Sequence, residues 1–334
     1  MSAGAIPLWQ GFDFAWLRAP HRLNHLASLI DASWDPVQAA LAGEYEARFT
    51  VGRVPDRGTA RTFLTGLHTT ALAATSGTAT LEAHGEIGRP ATVRGDPIAV
   101  PLAPGRAGTV LLQGFDLRCT SNTVGLHTRG FGFRLVEVPG EDGTITFVPE
   151  LFVHPANSPD LVTHGFGAWT YRARVDWTVL AGDAASAAFV ADPDRAPRVR
   201  HHHRNSRQPH RPGPIVIPPH PLLARSALAI SGFSWTQRHA GRFGRAGRFL
   251  RRLEIGLADQ HRHPDGTLEV APHLWFSNAG PLRYPLEVDH ALWTSLIRWR
   301  DDVPPLPFTT LEAQLPTGQG DGGVARTPWR LPVA

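Results

Sequence analysis

Alternation with a period of two runs through this chain. Tyr171, Ala173, Val175, Trp177 and Val179 are apolar and alternate with Arg172, Arg174, Asp176 and Thr178, the pattern of a strand with one buried and one wet face. Tyr45, Ala47, Phe49 and Val51 alternate in the same way with Glu46, Arg48 and Thr50, and Phe131, Phe133 and Leu135 with Gly132 and Arg134. Asp142-Gly143 and Asp265-Gly266 stand between such runs and are dipeptides of tight hairpins. One stretch, DPVQAALAGEYEARF from Asp35, reads as a turn or two of helix.

The runs recur. Gly11-Phe12-Asp13, Gly114-Phe115-Asp116 and Gly232-Phe233-Ser234 each follow a short apolar run and precede a basic or His-bearing stretch that ends in alternating apolar residues. The far end of the unit recurs as well: TATLEAHGEI then PIAVPLAPG in the first third, AAFVAD then PIVIPPHP in the second, FTTLEAQLPTG then TPWRLPVA in the last. Matched signals at both ends of three units, in one order, define an internal repeat of about 110 residues. The expectation is an all-β protein of three tandem antiparallel β-sandwich modules, of Ig-like or jelly-roll size, over residues 1–104, 105–221 and 222–334. The 33 glycines and 30 prolines among 334 residues fit turn-rich β-structure better than helix.

Charge changes the picture further. All 33 cationic residues are arginine, which removes Schiff-base and P-loop lysine chemistry. From Arg195 to Leu253 there are 13 arginines and no Asp or Glu, whereas the rest of the chain holds 20 arginines against 29 acids. Two module-specific additions carry this excess. One is a His-rich loop at 195–211 that includes Arg200 and Arg204. The other is the stretch 238–252, with Arg238, Arg242, Arg245, Arg248, Arg251 and Arg252, into which Phe243 and Phe249 are interleaved. Guanidinium groups bind phosphate and carboxylate bidentately, so the expected partner is an acidic protein surface or another polyanion, within a homo- or hetero-oligomeric assembly. The loop at 195–211 has no apolar periodicity and is expected to be poorly ordered.

Catalytic chemistry finds little to stand on. The single cysteine, Cys119, allows no intrachain disulfide and no multi-cysteine metal site, and reads as a structural thiol. His261 and His263, followed by Glu269, approach the cupin metal pattern, but both spacings miss by one residue and the second cupin motif is absent. His201, His202 and His203 are the other weak metal candidates. No cofactor is expected. Trp177 and Trp293 fall at core-like positions, while Trp16, Trp34, Trp235 and Trp329 are open between core packing and a glycan-binding platform. No basic, apolar leader and no run of about 18 apolar residues occurs, so the expected place is the cytoplasm; release by a non-standard route would leave no mark in the sequence. The leading expectation is a non-catalytic structural or adaptor protein that docks an anionic partner. A carbohydrate- or anionic-ligand-binding sandwich and a metal-dependent, cupin-like enzyme are the alternatives.

Overall fold

The structure, a computed structural model, describes residues 4–16, 23–51, 58–86, 90–121, 128–155, 168–190, 199–203, 212–239, 250–278, 286–300, 305–315 and 324–332. The first third of the chain forms β1 (Gly4–Trp16), β2 (Leu23–Asp35), β3 (Ala40–Val51), β4 (Gly58–Thr69), β5 (Leu72–Glu86), β6 (Ala91–Arg94) and β7 (Ile98–Pro101). The second forms β8 (Arg106–Ser121), β9 (Thr128–Val138), β10 (Thr144–Pro155), β11 (Ala168–Asp183), β12 (Ala187–Val190), β13 (Val199–His203) and β14 (Ile215–Ile217). The third forms β15 (Arg225–His239), β16 (Leu250–Arg262), β17 (Leu268–Asn278), β18 (Leu286–Trp299), β19 (Leu306–Leu315) and β20 (Val324–Pro332). The described residues contain no helix, and hence none long and apolar enough to cross a membrane. The stretch expected to be helical is a turn followed by β3. Asp35 caps that turn by accepting the Val37 and Gln38 N–H groups at 3.0 and 3.1 Å, and Tyr45 and Ala47 then point into the core.

The strands form three antiparallel sheets. Sheet 1 has the order β14-β17-β16-β1-β4-β19, sheet 2 the order β20-β3-β2-β8-β11-β5, and sheet 3 the order β6-β10-β9-β15-β18-β12, with β7 on β10 and β13 on β18. This differs from three sandwiches side by side. Each sheet sets the second and third strands of one segment against the first and fourth strands of the next, in cyclic order, and borrows an edge strand from the remaining segment. The repeat is therefore one of strand positions, and its copies are interlaced.

The Gly-Phe-Asp/Ser motif explains the interlacing. In β1, β8 and β15 the pairing with the fourth strand skips one residue immediately before the motif glycine: Gln10, Gln113 and Ser231. Such a bulge kinks the strand and resets which side chains face inward. The glycine lies against the neighbouring strand. Gly11 has φ +126°, and a Cβ there would run into the Ile255 carbonyl, while at Gly114 it would lie 2.6 Å from the Ser28 oxygen. The phenylalanine then points to the centre of the molecule. Expected at one equivalent buried site per module, Phe12, Phe115 and Phe233 instead meet one another, with ring centroids 5.0–5.3 Å apart, and all three are fully buried. Trp9, Phe131, Phe133 and Trp235 enclose them.

Where the sheets meet, side chains complete the backbone hydrogen bonding diverted by the bulges. Gln260 accepts the Leu228 N–H at 3.0 Å and donates to its carbonyl at 2.8 Å, and Glu137 accepts the Val110 N–H at 3.0 Å. At the matching place in the first segment stands Pro7, which has no N–H to satisfy; its carbonyl accepts from Gln113 at 2.9 Å.

Candidate functional site

The third residue of the motif points away from the core, onto the outer face of its sheet. Comparing the three positions locates the surfaces on which this protein can act.

On sheet 1 the position is Asp13, opposite Arg61 on β4 and Glu254 on β16. Arg252 donates to both Asp13 carboxylate oxygens at 2.8 Å and to Glu254 at 3.0 Å, and its guanidinium lies 3.8 Å above the Trp275 ring. Arg252, predicted to meet a partner, is thus engaged within the chain. Burial, with the nearby Glu254 charge, pushes the Asp13 carboxyl up to about 6, against the pull of Arg252. The folded state then holds more protons than the unfolded one between pH 3.8 and about 6, so stability should fall as pH rises through that window. Denaturant unfolding should show this fall, up to about 3 kcal/mol, and Asp13→Asn should remove it; an equal fall in the variant would assign it elsewhere.

On sheet 2 the position is Asp116. Burial pushes its carboxyl up, but His25 at 2.8 Å and Arg118 at 3.3 Å outweigh this and hold it below its ordinary value. It lies in an open cleft of about 920 Å³ whose walls are ion pairs, among them Arg174 with Asp176 at 2.7 Å, Arg172 with Glu82 at 3.2 Å and Arg326 with Glu46 at 2.9 Å. Cys119 lies on the same strand, and burial pushes its thiol up to about 12, the opposite of what a nucleophile needs.

On sheet 3 the position is Ser234, and its neighbours are Gly132 on β9 and Ala291 on β18. Three small residues stand here where sheet 1 carries three charged residues and sheet 2 carries two beside Ala27, and they line a pocket of about 350 Å³. Trp293, Phe152, Arg134, Glu150 and Asp289 rise around it. Arg134 lies 5.1 Å above the Trp293 ring, and Glu150 accepts from Arg94 at 2.8 Å. Trp293, expected in the core, faces outward because Val288, His290 and Leu292 take the inward phase of β18. Trp177, Trp235 and Trp329 are core residues and Trp34 is half-buried; the Trp16 side chain lies outside the described residues.

The basic segments leave the same end of sheet 3. Residues 199–203, expected within a loop, form β13, whose backbone pairs His201 with His290, His202 with Asp289 and His203 with Val288. The same Val288 pairs with Gln237 on its other side. β13 and β15 therefore run parallel on either side of β18, and the chain exits β13 after His203 and β15 after His239. Arg204, Arg242, Arg245 and Arg248, and the side chains of Arg200, His201, His202, His203, Arg238 and Arg251, lie outside the described residues. His261 and His263 pack edge to face, 4.7 Å apart, at the β16–β17 turn, where His263 meets Glu269 at 2.9 Å. Among the described residues no group of three His, Cys, Asp or Glu could hold a metal ion.

The class these features define is an all-β protein of three antiparallel sheets whose buried apolar residues form one large cluster and one smaller one. No protein-family model and no curated protein matches the chain. Chains from solved structures of infectious bursal disease virus are similar to it at a distant level. One, from the Gt strain, is 9% identical, covers 90% of this chain and 68% of its own, and has a TM-score of 0.22. Another, from the Gx strain, is 9% identical, covers 90% and 66%, and has a TM-score of 0.19.

Proposed function

We propose that this is a non-catalytic structural or adaptor protein that docks an acidic partner through its arginine-rich segments. The observation that supports this is the parallel placement of β13 and β15 about β18. The chain leaves β13 after His203 and β15 after His239 at the same end of that sheet, and in sequence each strand is followed by a basic segment. The 59 residues from Arg195 to Leu253 hold 13 arginines without an acid. Charge of one sign concentrated in such segments focuses an attractive field on an anionic surface and speeds encounter with it.

Replacing Arg242, Arg245, Arg248 and Arg251 together with Gln tests the reading. Capture of an acidic protein from native extract by the intact chain should be strong at low salt, weak at high salt, and reduced about tenfold or more in the variant, with the unfolding temperature unchanged. Undiminished capture by a folded variant would overturn it. A lowered unfolding temperature without loss of capture would show instead that these arginines pair with acids of the same chain.

A further inference from the structure

We infer that the joint between sheets 2 and 3 is a proton-operated latch, in which Glu137 and Ser231 stand where glutamines close the joint between sheets 1 and 3. This role is separate from the docking of an acidic partner. The three bulge residues form a cycle. Gln10, at the bulge of β1, donates to the Leu228 carbonyl of β15 at 3.1 Å. Gln113, at the bulge of β8, donates to the Pro7 carbonyl of β1 at 2.9 Å. The third member, from β15 back to Val110 of β8, falls to Ser231, whose hydroxyl ends well short of a glutamine amide. A cavity of about 10 Å³ lies there, and Val110, Glu137, Ser231 and Ser295 are among its lining residues.

A second side chain at each joint sets its chemistry. At Leu228, Gln260 of β16 accepts the N–H at 3.0 Å and donates to the carbonyl at 2.8 Å. At Val110 the same part falls to Glu137 of β9, which accepts the N–H at 3.0 Å and the Thr109 hydroxyl at 2.8 Å. An amide both accepts and donates, an ionised carboxylate only accepts, and a protonated one regains a donor. The Val110 N–H is turned to Glu137, and its carbonyl turns the same way, because both groups of one residue point to the same side of an antiparallel strand. Protonated, Glu137 closes the joint as Gln260 does, with one oxygen accepting from the N–H and the other donating to the carbonyl. Ionised, it sets a carboxylate against that carbonyl, and the joint loosens. Burial pushes the Glu137 carboxyl up, against the pull of the Val110 N–H and the Thr109 hydroxyl. Among the described residues lining the cavity, Arg134 of the same strand is the one other charged group, and it lies 5.1 Å above the Trp293 ring and 4.0 Å from Glu150. The facing strands bring groups that do not titrate: Thr109 from β8, Ser231 from β15, Thr294 and Ser295 from β18, Phe147 from β10, and Leu180 of β11 opposite Thr109. The folded chain therefore keeps a proton on Glu137 above the ordinary 4.5. The stability this group contributes is present at low pH and lost as pH rises through its raised value.

Two measurements on the full chain test this. Carbon NMR of the chain labelled at its glutamate carboxyls, assigned through the side-chain carbons, should place the Glu137 midpoint above 4.5. A midpoint at or below that value overturns the latch. Denaturant unfolding in an Asp13→Asn background, which removes the sheet 1 contribution, should still show stability falling as pH rises across the Glu137 midpoint. Adding Glu137→Gln supplies the donor at every pH. It should abolish the remaining fall and leave the double variant more stable than its Asp13→Asn parent above the midpoint. Persistence of the fall in the double variant, or lower stability than the parent above the midpoint, overturns the latch as well. Neither measurement reads capture by the arginine segments, so either role can fail alone.

Discussion

Expressed alone, the stretch 105–221 will not fold, and neither will 1–104 or 222–334. Within 105–221, β8 and β11 belong to sheet 2 and β9 and β10 to sheet 3. Removing the other segments strips β2 and β5 from the first pair and β15 from the second. What remains is two strand pairs with unpaired edges and with inner faces that have lost most of their packing partners. Isolated two-stranded pairs are marginal in water, and such edges invite association. The fragment should show a collapsed amide proton spectrum and no cooperative unfolding, whereas the intact chain should unfold by denaturant in one transition seen alike by fluorescence and circular dichroism. A fragment with dispersed amide signals and its own sharp transition would contradict the interlaced topology.

Phe115→Ala should be the most damaging single substitution of the motif. Phe115 is fully buried and touches aromatic rings from both other sheets: Phe12 at 5.2 Å, Phe133 at 5.1 Å, Phe233 at 5.3 Å and Trp9 at 6.2 Å between centroids. Truncation removes the transfer energy of the ring and leaves a cavity that three sheets at fixed spacing cannot close, so the loss should reach about 3–5 kcal/mol. That is a large part of the roughly 5–15 kcal/mol that holds a typical domain. Phe115→Leu, which keeps most of the volume, should cost about half as much or less. Val37→Ala, at an exposed turn residue, should stay within about 0.5 kcal/mol. Equilibrium unfolding of the three variants gives the comparison. A loss below about 1 kcal/mol at Phe115 would mean that the three rings do not share one close-packed centre.

The alternation of Tyr171, Ala173 and Val175 with Arg172 and Arg174 determined a strand and its buried face from sequence alone, because side chains on a pleated strand alternate strictly. The threefold Gly-Phe-Asp/Ser motif determined the repeat. It also marked residue 234 as the copy that departs, the one sequence signal of the sheet 3 pocket. The localised arginine excess was equally plain.

Only the tertiary structure decided which strands pair. A local pattern says that a residue faces a core; it does not say whose core. The bulges at Gln10, Gln113 and Ser231 turn each motif strand toward its counterparts, so Phe12, Phe115 and Phe233 share one centre rather than three. The same bulge chemistry hid Trp293, which has core-like phase in sequence but pairs with Gly232 and faces outward. The pocket beside it was not legible, because Gly132, Ser234 and Ala291 lie far apart in the chain and become a row of small residues only when β9, β15 and β18 lie side by side. Burial and pairing are long-range properties, fixed by contacts between segments that no sequence window spans.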